Sequence, residues 1–362
     1  MAKEIRNMIE DFRDQIDTID LEILKLMNLR LDFAAKIAEI KQEQKNPDYY
    51  RPEREAQILR RLQQCNRDGH MSDAAIESLF REVMSITRHS ESELSVSVLG
   101  PPGTYTEAAA RKHFGQAIHI IDHPTIDEIF KSTETGATDF SVVPVENSTE
   151  GGVTGTLDRL CTTVLTVCGE INLEINHSLL SKSNSLDQVK VIYAHTQSLG
   201  QCRNWIERNC SDAERIPVGS NADAAVKVAD EPNSAAIASS IAADRYGLKV
   251  LVENIEDDPG NSTRFLVLSK RPTPPSGKDK TSLIVAAANK PGSLVELLMP
   301  LWDEKVDMTR LESRPSKIGL WAYVFFIDII GHQDEEHVDR ALQTLRSKAG
   351  FYKNLGSYPS AV

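Results

Sequence analysis

Apolar residues recur at alternating intervals of three and four along the first forty positions, a rhythm that predicts one long helix packed on other helices. A permanently charged guanidinium within such a seam costs several kcal/mol unless an anion meets it. Arg30 is therefore either a polar residue that fixes helix register or part of an anion pocket inside a helical bundle. The seam comprises Ile9, Phe12, Ile16, Ile19, Ile23, Leu26, Arg30, Phe33, Ile37 and Ile40.

Two shorter helices should follow the first. The segment Pro47–Arg51 reads as a loop, and Pro52 is placed to open a second helix that runs to about Cys65. Ser72 is a natural N-cap for a third helix that runs to about His89. The N-terminal part of the chain is therefore predicted to be all-helical.

Three cations share the first predicted helix with different spacings. At about 1.5 Å per residue, Arg13 lies roughly 25 Å from Arg30 and roughly 42 Å from Lys41, whereas Arg30 and Lys41 point the same way, within about 20°. Arg13 therefore cannot meet the ligand of Lys41 in its own chain, but it could from an antiparallel partner helix. We predict a homodimer in which each pocket takes Arg13 from one chain and Arg30 and Lys41 from the other.

These helices, over residues 5–91, resemble the all-helical chorismate mutase family. The spaced set Arg13, Arg30, Lys41 and Arg54-Glu55 carries the resemblance. It implies that Arg13, Arg30 and Arg54 bind the two carboxylates of chorismate, and that Lys41 donates a hydrogen bond to the ether oxygen of the breaking bond.

The same resemblance assigns further residues of the mutase pocket. Glu55 would accept a hydrogen bond from the ring hydroxyl. Glu91 falls where the family places a Gln or Glu that is aimed at the ether oxygen. Thr87 occupies the small polar position of the last helix. Arg51 stands where relatives are usually acidic, so no role is transferred to it.

Strand and helix patterns alternate between Val96 and about Leu268, which predicts α/β lobes with mainly parallel sheets. Ligands of such sheets bind beyond the carboxyl ends of the strands, where helix N-termini offer free N–H groups. Polar clusters collect at these predicted ends, around residues 103–106, 146–149, 195–197 and 261–265. Each cluster alone is explained by turns and caps.

Taken together, and in this order, the clusters resemble the prephenate dehydratase family over residues 96–270. Gly100-Pro-x-Gly-Thr-x-Thr, Val145-Glu-Asn-Ser and Thr263-Arg-Phe are the matching motifs. The resemblance implies two α/β lobes, like those of periplasmic binding proteins, with the site in the cleft between them. It places Thr263 on the ring hydroxyl that leaves as water, and implies these substrate-binding residues: Thr104, Asn147, Ser148, Gln201, Arg264 and Phe265.

Expulsion of a hydroxyl needs a proton or a strong hydrogen bond. The pKa of a threonine hydroxyl is far too high for an effective acid, so Thr263 would orient or relay. His195 and His177 titrate in a suitable range, although a structural role is the simpler reading of each. Ala194 replaces a serine that is common in the family, so no essential role can rest on that serine here.

The last eighty residues follow the order β-α-β-β-α-β, which predicts a ferredoxin-like sheet with two helices on one face. This segment resembles the phenylalanine-binding ACT domain, through Pro291-Gly-Ser-Leu-Val295 and Glu312-Ser-Arg-Pro315. The alternative is a dimerisation domain without ligand. The resemblance implies an effector site between two chains that includes Asn289, Gly292, Ser293, Leu294, Val295, Glu312, Ser313, Arg314 and Pro315.

Composition restricts the classes of partner and the cellular location that we expect. The chain of 362 residues carries a net charge of −12, which argues against nucleic acid and anionic membranes as partners. Five cysteines without a C-x-x-C pair, and no signal peptide, are typical of a reducing cytoplasm. Two polar stretches, at 89–95 and 271–280, separate three predicted domains: 1–92, 95–271 and 281–362. The second stretch is expected to be extended and exposed.

The three resemblances imply one bifunctional enzyme of phenylalanine biosynthesis, which rearranges chorismate to prephenate, dehydrates prephenate to phenylpyruvate and is inhibited by L-phenylalanine. No metal or organic cofactor is implied, and a homodimer or homotetramer is expected. Two alternatives stay open: dehydration of arogenate in place of prephenate, and an amino-acid-sensing regulator without catalysis.

Overall fold

The computed structural model describes residues 2–42, 50–287, 290–315 and 323–361. The N-terminal domain is helical, as predicted, and the hydroxyl of Ser72 caps its third helix by accepting from the Ala75 N–H. None of the helices in the described ranges has the length and hydropathy of a transmembrane span. The three helices are α1 (Ala2–Gln42), α2 (Pro52–Cys65) and α3 (Asp73–Glu91).

Most of α1 projects from the rest of the chain with its apolar seam uncovered. Phe12 is 58% exposed and Leu26 is 64% exposed, and only the last part of the helix is packed, where Ala34 and Ala38 are buried. Burial of apolar surface is the main force that stabilises such helices, and a patch of this length marks an interaction surface.

The middle domain consists of two α/β lobes, which confirms the predicted class. The first lobe contains β1 (Ser95–Leu99), α4 (Tyr105–Phe114), β2 (His119–His123), α5 (Ile126–Thr135), β3 (Phe140–Asn147), β4 (Gly151–Gly152), α6 (Thr154–Thr162), β5 (Thr166–Glu174) and, last in the chain, β11 (Ser262–Ser269). The second lobe contains β6 (Ser178–Ser181), β7 (Val191–His195), α7 (Thr196–Gln201), α8 (Arg203–Asn209), β8 (Glu214–Val218), α9 (Asn221–Asp230), β9 (Ser234–Ala238), α10 (Ser240–Tyr246) and β10 (Lys249–Val252).

Both sheets are mixed, so the expectation of mainly parallel sheets is wrong. The strand orders are β2-β1-β3-β11-β5, with β4 beside β3, and β10-β6-β9-β7-β8. Strand β1 is parallel to β2 and β3, whereas β11 is antiparallel to both β3 and β5. The reason is connectivity: the chain leaves the first lobe after β5 and re-enters it along β11, which brings the ends of β3 and β11 to the cleft.

The C-terminal domain has the predicted β-α-β-β-α-β order, and its strands form one antiparallel sheet in the order β13-β14-β12-β15. The third predicted strand of this domain begins at Tyr323 within the described residues, and Trp321 lies outside them. The elements are β12 (Asp279–Ala286), α11 (Ser293–Asp303), β13 (Met308–Pro315), β14 (Tyr323–Ile330), α12 (Glu336–Lys348) and β15 (Phe351–Pro359).

The open face of this sheet shares a hydrophobic core with the first lobe, where Ile284 and Phe326 pack with Leu160 and Leu266. The preceding segment, residues 271–280, is anchored at several points, so its predicted exposure is wrong in part. Thr273, Ser276 and Asp279 are buried, because the Asp279 carboxylate accepts from the backbone and hydroxyl of Ser276. The C-terminal domain and the first lobe therefore meet as packed bodies.

Candidate active sites and regulatory segment

A cavity of about 460 Å³ lies between the end of α1, the start of α2 and the end of α3. Apolar side chains from all three helices complete its wall, so charged groups meet there in partly dry surroundings. Six of the residues predicted from the sequence line it: Arg30, Lys41, Arg54, Glu55, Thr87 and Glu91.

Arg30 is half-buried and donates a hydrogen bond to the hydroxyl of Thr87. Burial lowers its pKa, and the carboxylates of Glu55 and Glu91 act in the opposite direction. Among the described residues of its own chain, no carboxylate lies within ion-pair distance of the Arg30 guanidinium. A half-buried cation in this position is stabilised by an anion, which a bound ligand can supply.

Glu91 stands opposite Lys41, with 4.0 Å between Lys41 Nζ and Glu91 Oε2. Burial raises the pKa of Glu91, although Lys41 and Arg30 partly offset the rise. A carboxyl group with a raised pKa stays protonated to higher pH and can then donate a hydrogen bond.

Three exposed arginines lie at or beyond the rim of the cavity. Arg13 is exposed on α1, roughly 25 Å along the unbroken helix from Arg30, and does not line the cavity of its own chain. Arg54 is exposed at the cavity edge. Arg51, to which no role was transferred, also lines the cavity, and its Nε donates to Glu53 Oε1 over 2.7 Å.

In the middle domain, Thr263 and Asn147 are register partners at the adjoining ends of β11 and β3. Asn147 Nδ2 donates to Thr263 Oγ1 and to Asn261 Oδ1, each over 2.9 Å, and Ser148 Oγ donates to Asn261 Oδ1 over 3.3 Å. Residues more than a hundred positions apart in the chain thus form one polar cluster, as the motifs predicted. As an acceptor from Asn147, the Thr263 hydroxyl keeps its own proton for a third group.

Gln201 reaches this cluster from the second lobe. Its Nε2 donates to Thr149 Oγ1 over 3.4 Å, and its Oε1 lies 2.9 Å from His177 Nε2. The hydroxyl of Tyr105 lies 2.8 Å from His177 Nδ1. Burial lowers the pKa of His177. A neutral ring that donates from Nε2 to Gln201 leaves Nδ1 as an acceptor, which lies beside the Tyr105 hydroxyl together with Asn176 O, 2.9 Å from that hydroxyl. This arrangement orients the Gln201 amide across the cleft.

Two residues that were predicted to contact the substrate, Arg264 and Phe265, have their partners elsewhere in the structure. Arg264 follows Thr263 on β11, so its side chain leaves the opposite face of the sheet. There it pairs with Glu170 over 3.0 Å and with Asp328 of the C-terminal domain. Phe265 is buried in the apolar core of the first lobe, at 2% exposure, and supports the site from beneath.

Thr104 and His195 hold helix N-termini. Thr104 Oγ1 donates to Leu99 O over 2.7 Å and accepts from the Glu107 N–H at the start of α4. Its hydroxyl thus caps α4, and the substrate contact of Thr104 stays a prediction. His195 Nδ1 accepts from the Gln197 N–H at the start of α7.

The predicted effector turn lies at the start of α11. Gly292 has a φ of 82°, a conformation that favours glycine. Ser293 and Leu294 begin the helix and are half-buried, and Val295 is 64% exposed. Asn289 lies outside the described residues. The turn is open to a small ligand or to a second chain.

The second effector motif, Glu312-Ser-Arg-Pro315, ends β13 and rests on the dehydratase domain. Arg310 Nε lies 2.8 Å from the carboxylate of Glu146, on the strand that leads into the dehydratase cluster. Arg314 Nη1 donates to Thr154 O over 3.1 Å. The predicted effector strand is therefore in direct contact with β3 of the middle domain.

Two arginines of these sites, Arg88 and Arg310, were not identified from the sequence alone. Arg88 is buried and lines the mutase cavity, and it lies four residues after Met84 and three before Glu91 on α3. That spacing places all three residues on one helix face, and it is the sequence signal that could have identified Arg88. For Arg310, alternation with Glu312 and Arg314 along a strand was the only indication.

Comparison with known proteins matches these units in the same order. Family models match for chorismate mutase type II over residues 12–92, for prephenate dehydratase over residues 96–273, and for the ACT domain over residues 281–347.

Relatives match over the full chain. A bifunctional chorismate mutase/prephenate dehydratase of Neisseria gonorrhoeae is 48% identical over 100% of both chains, and one of Pseudomonas aeruginosa is 46% identical over 99% of both. The crystal structure of a prephenate dehydratase from Arthrobacter aurescens in complex with L-Phe has a TM-score of 0.68 and 34% identity, over 74% of this chain and 90% of that chain. This chain belongs to the family of bifunctional chorismate mutase/prephenate dehydratases.

Proposed function

We propose that this chain converts chorismate to prephenate in the helical cavity, and prephenate to phenylpyruvate in the cleft between the two lobes. The convergence of Arg30, Lys41 and Arg54 with two glutamates on one cavity carries the proposal. Purified protein incubated with chorismate, without added metal or cofactor, should form prephenate first and phenylpyruvate afterwards. Unchanged chorismate would contradict the first activity, and accumulation of prephenate would contradict the second.

The mutase reaction is a pericyclic rearrangement and needs neither a nucleophile nor a general base. The pocket must fold a flexible dianion into a chair and stabilise negative charge that develops on the ether oxygen. Fixed cations in a partly dry cavity do both. Arg30 and Arg54 hold the carboxylates, and Lys41 and protonated Glu91 donate to the ether oxygen.

The same site needs a second subunit. The uncovered apolar seam of α1 pairs with the same seam of a second copy in antiparallel register. That pairing covers the exposed apolar residues and carries the partner's Arg13 to the cavity. We propose a homodimer, alone or within a tetramer, in which each mutase site draws on both chains.

Mutase activity should decline as pH rises. Burial raises the pKa of Glu91, so the protonated donor predominates at low pH and is lost as pH rises through that raised pKa. A profile of kcat/KM against pH from acid to neutral measures this decline.

The matched variant is Glu91→Gln, whose amide donates at every pH. Its mutase profile should be flat over the range in which the wild type declines. A flat wild-type profile, or the same decline in both proteins, contradicts a protonated Glu91.

In the dehydratase cleft, loss of carbon dioxide accompanies departure of the ring hydroxyl. The Thr263 hydroxyl donates to that leaving oxygen, while Asn147, Ser148 and Gln201 position the substrate. The hydrogen bonds of Asn147 and Gln201 support these roles, because they set both amides at the cleft.

Phenylalanine binds between the Gly292 turn of one chain and β13 of another, and inhibits by favouring the assembly of lower activity. The ion pair of Arg310 with Glu146 offers a direct route from β13 to the dehydratase strand.

The domains extend over residues 1–92, 95–271 and 281–362. None of the five cysteines, all within the described ranges, forms a disulfide, which supports a cytoplasmic location.

Replacing Gly292 with valine should abolish inhibition by phenylalanine and leave basal dehydratase activity in place. A β-branched residue strains the backbone at a φ of 82°, and its bulk enters the space proposed for the ligand. Dehydratase rates titrated with phenylalanine measure the effect.

Gly247 provides the matched control. It has a φ of 62° at the end of α10 in the dehydratase domain, and the surrounding space is open, as at Gly292. Gly247→Val should carry a similar backbone strain yet remain sensitive to phenylalanine. Equal inhibition of Gly292→Val and the wild type would rule out the site.

A further inference from the structure

Arg88 occupies an unusual position at the boundary between the helical and dehydratase domains. It is buried, at 6% exposure, on the cavity side of α3. Its Nη1 donates to Glu55 Oε1, the carboxylate assigned to the ring hydroxyl of chorismate. The pair is nearly enclosed, with side-chain exposures of 8% for Arg88 and 12% for Glu55.

The other side of the same guanidinium is held by the dehydratase domain. Arg88 Nη2 donates to the carbonyl oxygen of Phe114, the last residue of α4. The guanidinium also lies over the ring of Tyr50, 5.1 Å from its centroid, and the Tyr50 hydroxyl lies 2.6 Å from Nε2 of His113 on α4. Arg88 is thus fixed from three directions.

The contacts of Arg88 restrict the position of the Glu55 carboxylate more than the place of Glu55 in α2 does. Glu55 is in the first turn of α2, where a free carboxylate has several rotamers and a full hydration shell. A planar guanidinium that cannot move selects one carboxylate position. A group held in place before the substrate arrives binds it at a smaller entropic cost.

We propose that Arg88 is a positioning residue of the mutase site: it fixes the Glu55 carboxylate for the ring hydroxyl of chorismate and is itself anchored to the backbone of the dehydratase domain. The proposal rests on the mutase activity proposed above. Since the hydroxyl is the same in the ground and transition states, the contribution appears mainly in KM for chorismate.

The test compares Arg88→Met with Arg81→Met in the full-length protein. Arg81 is a matched control on the same helix, because its Nη1 also donates to a carbonyl of α4, that of His113, over 3.2 Å, but it does not line the mutase cavity. Arg88→Met should raise KM for chorismate by about tenfold to a hundredfold and leave dehydratase activity unchanged. Arg81→Met should leave KM near the wild-type value.

A double-mutant cycle with Glu55→Gln separates positioning from direct contact. If Arg88 acts through Glu55, Arg88→Met should change KM by no more than about twofold in the Glu55→Gln background. Equal losses in both backgrounds would mean that Arg88 contacts the substrate itself, and equal losses for Arg88→Met and Arg81→Met would mean a merely structural role. Either result overturns the proposal. Absence of mutase turnover in the wild type would instead refute the proposed function.

Discussion

Replacing Thr263 with alanine is expected to abolish dehydratase activity and leave mutase activity intact. The Thr263 hydroxyl lies at the start of β11, where it accepts from Asn147 Nδ2 over 2.9 Å and can donate a hydrogen bond to the departing ring oxygen. Loss of one such preorganised donor lowers kcat by at least about a hundredfold. Both activities are measured on one preparation, with prephenate and with chorismate as substrates.

Thr263→Ser is the matched control, because it keeps the hydroxyl and loses only a methyl group. It should retain most of the dehydratase activity. The two proposed sites lie in different domains, so a parallel loss of both activities in Thr263→Ala would contradict separate sites. Full dehydratase activity in Thr263→Ala would show that the Thr263 hydroxyl has no part in the mechanism.

Replacing Arg30 with alanine is expected to lower mutase kcat/KM by about a hundredfold to about five-thousandfold. The substrate carboxylate would lose its cation, and loss of one partner of a buried charge pair costs roughly 3–5 kcal/mol. Arg13→Ala should cause a loss of similar size, although Arg13 is exposed and distant from the cavity of its own chain. Dehydratase activity should persist in both variants and reports that they are folded.

Arg6 is the control for the exposed arginine of α1. Its side chain is 81% exposed and it pairs with Glu10 on the same helix over 3.5 Å, as a surface residue does. Arg6→Ala should keep mutase activity. If Arg13→Ala is also fully active, the site does not draw on a second chain.

The helical domain was predicted well because its signals are local. Seam spacing, a proline at the first position of α2 and a serine cap before α3 each act within one or two turns. The boundaries Pro52 and Cys65 of α2 agree with the prediction. The mixed sheets of the lobes were not predicted, because strand direction depends on where the chain re-enters a lobe, which no local pattern records.

The dehydratase cluster was predicted in part. Motif resemblance identified Asn147 and Thr263, which the fold brings together. It also named Arg264, which the fold turns away from that pair, because neighbouring residues of a strand face opposite sides of the sheet, and a motif written as letters does not state which side is the site. The ion pairs of Arg264 with Glu170 and Asp328 depend on packing between domains.

Arg88 escaped prediction for a related reason. Its partners are a carboxylate of another helix and a carbonyl of another domain, and neither relation leaves a spacing in the sequence. Long-range charge pairs of this kind become visible only when the domains are seen packed together.

The shared mutase site is tested most directly by mixing two inactive proteins. Arg13→Ala and Arg30→Ala chains, co-expressed in equal amounts, should form mixed dimers in which one site combines the intact Arg13 of one chain with the intact Arg30 of the other. Random pairing then restores about a quarter of wild-type mutase activity. Co-expressed chains that are no more active than either variant alone would contradict a cavity built from two subunits.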